Sequence, residues 1–230
     1  MNDTNQSTLA VIVTSGGLDS CVVATLAARE YSVAMLHVRY GQRTEERETT
    51  AFSNISNAVG AVEKRIINMN YLGQIGCSSL TDPNMSVPEN PDSGTPSTYV
   101  PFRNANLFAA AVSWAETLKA RFVYTGINQI DSSGYPDCTE QFLNTFNQLI
   151  SCGTRPDTQI QLVAPLLSMS KTQIVKLGLD INAPLHLSWS CYQNEDKACG
   201  ICDSCRLRLQ GFLSNNAVDP IPYQTNPFAS

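Results

Sequence analysis

LAVIVTSGGLDS, residues 9–20, is the stretch that decides the fold. Its first half, residues 9–14, is short, β-branched and apolar at both parities, as expected of a strand covered on both faces of a parallel sheet. Residues 21–30, CVVATLAARE, carry a helical pattern, and VAMLHVRY at 33–40 reads as a second strand. The three pieces form a β-loop-α-β unit of about thirty residues. SGGLDS therefore lies between a strand end and a helix start, where backbone N–H groups and the helix dipole converge on an anion.

The unit recurs outward from there. Residues 43–60 are amphipathic and helical, and VEKRIINM at 62–69 reads as a third strand. From residue 77 to 101 the composition turns to Pro, Ser, Thr, Asn and Gly, with prolines at 83, 88, 91, 96 and 101, so a long ordered loop or lid is expected. A helix at 105–120, a strand at 121–126, a loop at 127–138, a helix at 139–150, a strand at 159–166 and a helix opening at Ser170 complete the set. This alternation predicts a doubly wound parallel α/β sheet. The expected organisation is a nucleotide-binding α/β domain over 1–184, a four-cysteine metal segment over 185–213 and a tail over 214–230.

Length and charge narrow the function. A chain of 230 residues can bury a full core, and 43% apolar against 15% charged residues is far from a disordered profile. With a net charge of −5 and no basic block, a nucleic-acid partner is disfavoured. No basic segment precedes a long apolar run at the start, and no stretch approaches the ~20 apolar residues of a bilayer span, so a cytoplasmic protein without a membrane partner is expected.

In the loop itself, Gly16 and Gly17 permit a sharp turn and close approach to phosphate oxygens. Ser15 and Ser20 can donate hydroxyl hydrogen bonds, and Asp19 can orient a magnesium ion or the loop. Thr14 and Leu18 complete the candidate nucleotide contacts. A bare Gly-Gly pair is most often only a tight turn, but here the whole six-residue run stands between strand and helix. It lacks the GK[ST] of a Walker loop. SGGLDS resembles the signature of the PP-loop ATP pyrophosphatases, which implies ATP cleavage between the α and β phosphates and activation of a carbonyl oxygen as an adenylate.

Cys191, Cys199, Cys202 and Cys205 crowd into fifteen residues as C-x7-C-x2-C-x2-C. Four thiolates suit a closed tetrahedral zinc site with a structural role, Gly200 relaxing the first knuckle and Arg206 opening a short helix. An iron–sulfur cluster is the competing ligation, although the fourth nearby cysteine and proline of a ferredoxin run are missing. The scattered Cys21, Cys77, Cys138 and Cys152 read as small buried hydrophobes.

Taken in order, SGGLDS, YGQR at 40–43, YVPFRN at 99–104, DSSGYPDC at 131–138, Ser170-Lys171 and WSCY at 189–192 resemble the 7-cyano-7-deazaguanine synthase family over nearly the whole chain. The resemblance implies ATP-dependent conversion of 7-carboxy-7-deazaguanine and ammonia into the nitrile through an amide, with magnesium accompanying ATP and a homodimer as the assembly. Arg103 is expected against ATP phosphates, with Asn104 as an N-cap beside it. Lys171 is expected to reach phosphate or developing charge, a solvated helix-start lysine being the plainer alternative. Tyr40, Gln42, Asp131, Tyr135 and Asp137 are the candidate substrate contacts. A carboxylate after the strand end would read the guanine-like edge and Tyr135 would stack on it, although an isolated SGYPD would be only a turn capping the next helix. Family members carry arginine where this chain has Thr139, which puts one substrate contact in doubt.

Rival readings remain open. A tRNA-modifying thiolase or lysidine-type ligase would want a basic surface, and a glutamine-dependent ligase would want a glutaminase domain. A relative joining a deazaguanine to a protein acceptor shares the same motifs. A non-enzymatic zinc-stabilised module with a relic loop would have had no reason to keep Gly17, Asp19 and Ser20.

Overall fold

The computed structural model describes residues 8–88, 94–131, 134–225 and 227–228. Ser132 and Ser133 of the DSSGYPDC motif and Pro91 of the proline-rich loop lie outside the described residues. The elements are β1 (Leu9–Val13), α1 (Leu18–Ala28), β2 (Ser32–Arg39), α2 (Glu45–Ala58), β3 (Glu63–Asn68), α3 (Tyr71–Ile75), α4 (Arg103–Leu118), β4 (Phe122–Thr125), α5 (Glu140–Gly153), β5 (Gln161–Val163), α6 (Lys171–Asp180) and α7 (Asp203–Leu213). Single 3-10 turns stand at Pro136–Cys138 and Leu185–Leu187.

The strands form one parallel sheet in the order β3-β2-β1-β4-β5. The order reverses between β1 and β4, so a crevice opens beyond their C-terminal ends, the place where open α/β sheets bind ligands. Alternate residues of β1 feed two cores. Val11 and Val13 pack with Phe108, Trp114, Phe146 and Ile150 from α4 and α5. Ala10 and Ile12 pack with Val22, Phe52, Ile174 and Phe212 from α1, α2, α6 and α7. Both faces of the central strand are thus apolar, which is why it reads as a continuous hydrophobic run.

The expected αβ alternation holds, with local differences. α3 was not expected, since five residues before a Gly-Cys pair carry too little periodicity to read. β5 covers less than the expected strand because Pro165 interrupts the ladder. α7 begins at Asp203 rather than at Arg206. Cys21 and Cys138 are buried as expected, but Cys77 and Cys152 are exposed; each lies beyond or near the end of a helix, where no core face is available to it. The stretch between α3 and α4 contains no regular element among its described residues. Leu80, Val87 and Val100 are nevertheless buried, and Ser79 N–H donates to Ser97 O at 2.8 Å. Arg43 Nε donates to Ser79 O at 2.8 Å, and its Nη2 donates to Asp82 O at 2.7 Å and also to Met85 O. The arginine of YGQR thereby supplies the backbone donors that the proline-rich stretch lacks.

No helix among the described residues is long and apolar enough to cross a membrane.

Candidate functional site

The phosphate loop is shaped by backbone that only glycine tolerates. Gly16 sits at φ +88°, and a Cβ there would lie 2.6 Å from Glu48 O of α2. Its carbonyl accepts from Trp189 N–H at 2.8 Å, which ties the loop to the segment carrying the cysteines. Gly17 caps α1 without a side-chain cap. Asp19 and Ser20 lie in that helix's first turn, where N–H groups have no intrahelical acceptor. Ser20 Oγ donates to Gly17 O at 3.0 Å and lies 3.3 Å from Ser15 Oγ, and Ser15 Oγ accepts from Gly17 N–H at 3.2 Å. Across the crevice, a Cβ on Gly126 after β4 would come within 3.0 Å of Ser20 N, so that glycine permits β4 to close against the start of α1. Thr14 is buried, and its carbonyl meets His37 Nδ1 at 2.9 Å.

A cavity of about 260 Å³ opens beyond the loop. Thr14, Ser15, Gly17, Leu18, Asp19, Ser20, Tyr40, Gln42, Arg103, Asn104, Asp131, Tyr135 and Lys171 all contribute to its wall. The motifs expected to act together, spread over 158 residues of chain, are therefore brought to one place. Two expected contacts are absent from the wall. They are Gly16, whose backbone shapes the loop, and Asp137, whose carboxylate meets the start of α4.

Asp137 is buried, its Oδ2 accepting from Asn104 N–H at 2.9 Å. The carboxylate expected at the substrate edge instead caps α4 from outside, away from the cavity wall. Asn104 is not the N-cap of that helix. Phe102 holds the position in a left-handed conformation at φ +55°, while Asn104 Nδ2 donates back to Asp137 O at 3.1 Å and to Cys138 Sγ at 3.3 Å. The cap comes from the Pro136–Cys138 turn, since Phe102 has no side-chain acceptor to offer. Thr139 takes up a structural duty as well, its Oγ1 accepting from Phe142 N–H at 3.1 Å to cap α5.

The cavity has two electrostatically distinct ends. At the loop end, Lys171 Nζ bonds Asp19 at 2.6 and 2.7 Å and lies 3.4 Å from Asp131 Oδ2. Lys171 is thus no solvated helix-start lysine. Asp131 Oδ1 also accepts Lys171 N–H at 3.3 Å, while its buried Oδ2 has no hydrogen-bond partner among the described residues. Burial pushes the Asp131 carboxyl up from the ordinary range, opposed by Lys171 and reinforced by the Asp19 charge. α6, which carries Lys171, is fixed by a capping box of Ser170 and Gln173.

At the other end stand Arg103, Tyr40, Gln42, Glu48, Tyr135 and Tyr192. Arg103 Nη1 donates to Tyr40 Oη at 3.1 Å, its guanidinium lies 5.5 Å from the Tyr40 ring centre, and its buried Nε has no partner. Tyr135 bonds Thr98 through its hydroxyl and meets Tyr99 edge-on at 5.8 Å. Gln42 Oε1 accepts Tyr40 N–H at 2.9 Å, while its Nε2 donates to Glu48 Oε2 at 3.0 Å. Thr44 Oγ1 donates to Glu48 Oε1 at 2.9 Å. Burial lifts the Glu48 carboxyl to about 7 against the pull of those two donors. Glu48, Tyr192, Trp189 and Asp203 line the cavity without having been expected from sequence. The YGQR motif was the available pointer to Glu48, but TEERE after it reads as an ordinary solvated helix face.

Behind the loop, the Sγ atoms of Cys191, Cys199, Cys202 and Cys205 all lie within 4.8 Å of one another and are buried. Gln193, Asn194 and Cys199 N–H groups point at Cys191 Sγ at 3.3 to 3.4 Å, and Cys202 N–H at Cys199 Sγ at 3.3 Å. Converging thiols with N–H donors can hold a metal ion, since thiolates bound to a cation accept such bonds. Gly200 at φ +81° is required, because a Cβ would strike Thr225 O. Residues 219–225 wrap this knot: Ala198 N–H donates to Pro222 O at 2.9 Å and Gln224 N–H to Ala198 O at 2.8 Å. The buried Arg208 clamps the wrap, bonding Asp219 at 2.7 and 2.9 Å and Leu185 O at 3.1 Å.

The model of the family described as "Queuosine biosynthesis protein QueC" matches residues 9–216. The 7-cyano-7-deazaguanine synthase of Chlorobaculum parvum is 49% identical over 222 residues, covering 95% of this chain and 97% of the relative. That of Koribacter versatilis is 49% identical over 223 residues, covering 93% and 92%. Among solved structures, an NH3-dependent NAD synthetase from Campylobacter jejuni covers 80% of this chain and 68% of its own at 18% identity, with a TM-score of 0.47. Identity sustained from the phosphate loop to the cysteine knot places the chain in the 7-cyano-7-deazaguanine synthase (QueC) family.

Proposed function

We propose that this chain makes 7-cyano-7-deazaguanine from 7-carboxy-7-deazaguanine and ammonia, at the expense of ATP cleaved between its α and β phosphates. The observation that carries the reading is the placement of the glycine loop and Lys171 on one wall of a cavity whose other end holds aromatic rings and a buried guanidinium with an Nε that has no acceptor. The substrate carboxylate attacks the α-phosphorus, and pyrophosphate leaves towards the N–H groups of residues 15–20. Ammonia then forms the C–N bond as AMP leaves and one proton is lost from nitrogen. In the second round the amide oxygen attacks a second α-phosphorus. The C–O bond breaks with AMP as two N–H protons are lost, and the nitrile forms.

Each group acts by position and charge. The orphan N–H groups at the start of α1, with Ser15 and Ser20 hydroxyls, receive the pyrophosphate charge as it grows. Lys171 leaves its pairing with Asp19 and Asp131 to meet phosphate, and Arg103 supplies a second cation whose Nε awaits an acceptor. Asp19 would hold the magnesium ion that accompanies ATP, and that ion would supply charge stabilisation for the leaving group. Zinc is the ion expected in the cysteine knot, where it fixes Trp189 and hence Gly16 without taking part in the chemistry.

Exchange of labelled pyrophosphate into ATP tests the first step. With 7-carboxy-7-deazaguanine present and ammonium withheld, exchange should occur, and Asp19→Ala should abolish it. Exchange independent of the carboxylate, or none at all, contradicts the reading.

A further inference from the structure

Four carboxylates reach the cavity wall: Asp19, Glu48, Asp131 and Asp203. Two of them neutralise Lys171. Asp203 sits in the first turn of α7, facing the charges of Arg206, Asp131 and Lys171. Glu48 stands apart. Among the described residues its oxygens meet only neutral donors, Thr44 Oγ1 at 2.9 Å and Gln42 Nε2 at 3.0 Å. Each oxygen therefore keeps an acceptor site open. The guanidinium sharing that end of the cavity, Arg103, makes no ion pair either, and its buried Nε is left without an acceptor. The other charges that bear on Glu48 are Glu45 on its own helix and Arg103 on α4.

A carboxylate and a guanidinium that face one cavity without pairing ask for a ligand bearing both an N–H donor edge and an anionic group. From this juxtaposition we infer that Glu48 is the specificity-determining residue, accepting the ring N–H and exocyclic amino hydrogens of a guanine-type base whose anionic substituent faces Arg103. The inference rests on the proposed function and places the base edge against α2, whereas Asp137 caps α4 and Asp131 faces Lys171 at the opposite end of the cavity. Gln42 and Thr44 orient the carboxylate and so act as positioning residues. Burial holds the empty-site carboxyl near 7, and ring N–H donors favour its charged form. Base binding therefore weakens as pH falls below that value.

Calorimetric titration of the metal-loaded protein decides it, with α,β-methylene-ATP present to block chemistry. The ligands are 7-carboxy-7-deazaguanine and its analogue lacking the 2-amino group. The wild type should prefer the amino-bearing ring by about 10- to 100-fold, the worth of hydrogen bonds to a charged acceptor. Glu48→Gln should erase that preference and its pH dependence while the folded secondary structure and metal content stay unchanged. A preference intact in Glu48→Gln overturns the inference and leaves the proposed function standing. Failure of the wild type to bind either ring overturns both. If Glu48→Gln does not fold, Glu48→Asp is read in the same way: a preserved preference refutes the inference, and a reduced one supports it.

Discussion

Replacing Gly16 with alanine isolates the contact on which the phosphate loop depends. Two costs add. A non-glycine residue at φ +88° pays about 1–2 kcal/mol for the left-handed backbone. The new Cβ would also lie 2.6 Å from Glu48 O, a backbone atom that cannot swing aside, and such overpacking costs ~1–3 kcal/mol. The sum, about 2–5 kcal/mol, corresponds to a fall in melting temperature on the order of 5–15 °C for a chain of this size. Gly41 is the internal control, because it sits at φ +85° with nothing within 4 Å of its Cβ position, so Gly41→Ala should pay the backbone cost alone. Urea denaturation of both variants, read at constant m-value, separates the terms. The clash is refuted if Gly16→Ala loses no more than Gly41→Ala. A displaced Gly16 should also break its bond to Trp189 N–H, so pyrophosphate exchange should fall together with stability.

Other consequences follow from the same geometry. Chelation of the knot metal should add four reactive thiols to the exposed Cys77 and Cys152 in a thiol titration and shift the emission of the buried Trp189 to the red; an unchanged thiol count would mean that the knot holds without metal. Asp219→Ala strands the Arg208 guanidinium in the interior and should cost about 3–5 kcal/mol in chemical denaturation. Lys171→Met leaves Asp19 and Asp131 facing each other, so ATP cleavage should drop at least ~100-fold, the scale of a lost transition-state charge contact. The Glu48 carboxyl sits at about 7 in the fold against an ordinary 4.5, so the folded state binds the proton more tightly than the unfolded chain. Its stabilising contribution is full below pH 4.5 and is lost as pH rises through 7, amounting to at most about 3 kcal/mol. Glu48→Gln should flatten that slope in pH-dependent melts.

Much of the fold was legible because β1 and its loop are short-range features: an apolar run, two glycines and a helix start in twelve residues. The cysteine knot was legible for the same reason. What escaped reading was set by distant partners. Asp137 looked like a free carboxylate after a turn, yet it is consumed in capping α4, a helix that begins 34 residues earlier and whose own cap position holds Phe102. Asp131 gave no sign of its neighbour Lys171, 40 residues on, whose Nζ lies 3.4 Å from its Oδ2. Glu48 looked like one more solvated glutamate in TEERE, and only the packing of α2 against Gly16 turns it inward. Residues 219–225 suggested no periodicity because their order comes from strand-like pairing with Ala198 and from the Arg208–Asp219 pair.

The central claim is nitrile synthesis driven by α–β cleavage of ATP. The most direct measurement is mass spectrometry of the metal-loaded protein incubated with magnesium, ATP, ammonium and 7-carboxy-7-deazaguanine, with Asp19→Ala alongside. The wild type alone should yield 7-cyano-7-deazaguanine, accompanied by about two AMP and two pyrophosphate per nitrile, one for each activation. Release of ADP and phosphate, an end product halted at the amide, or no consumption of ATP would contradict it.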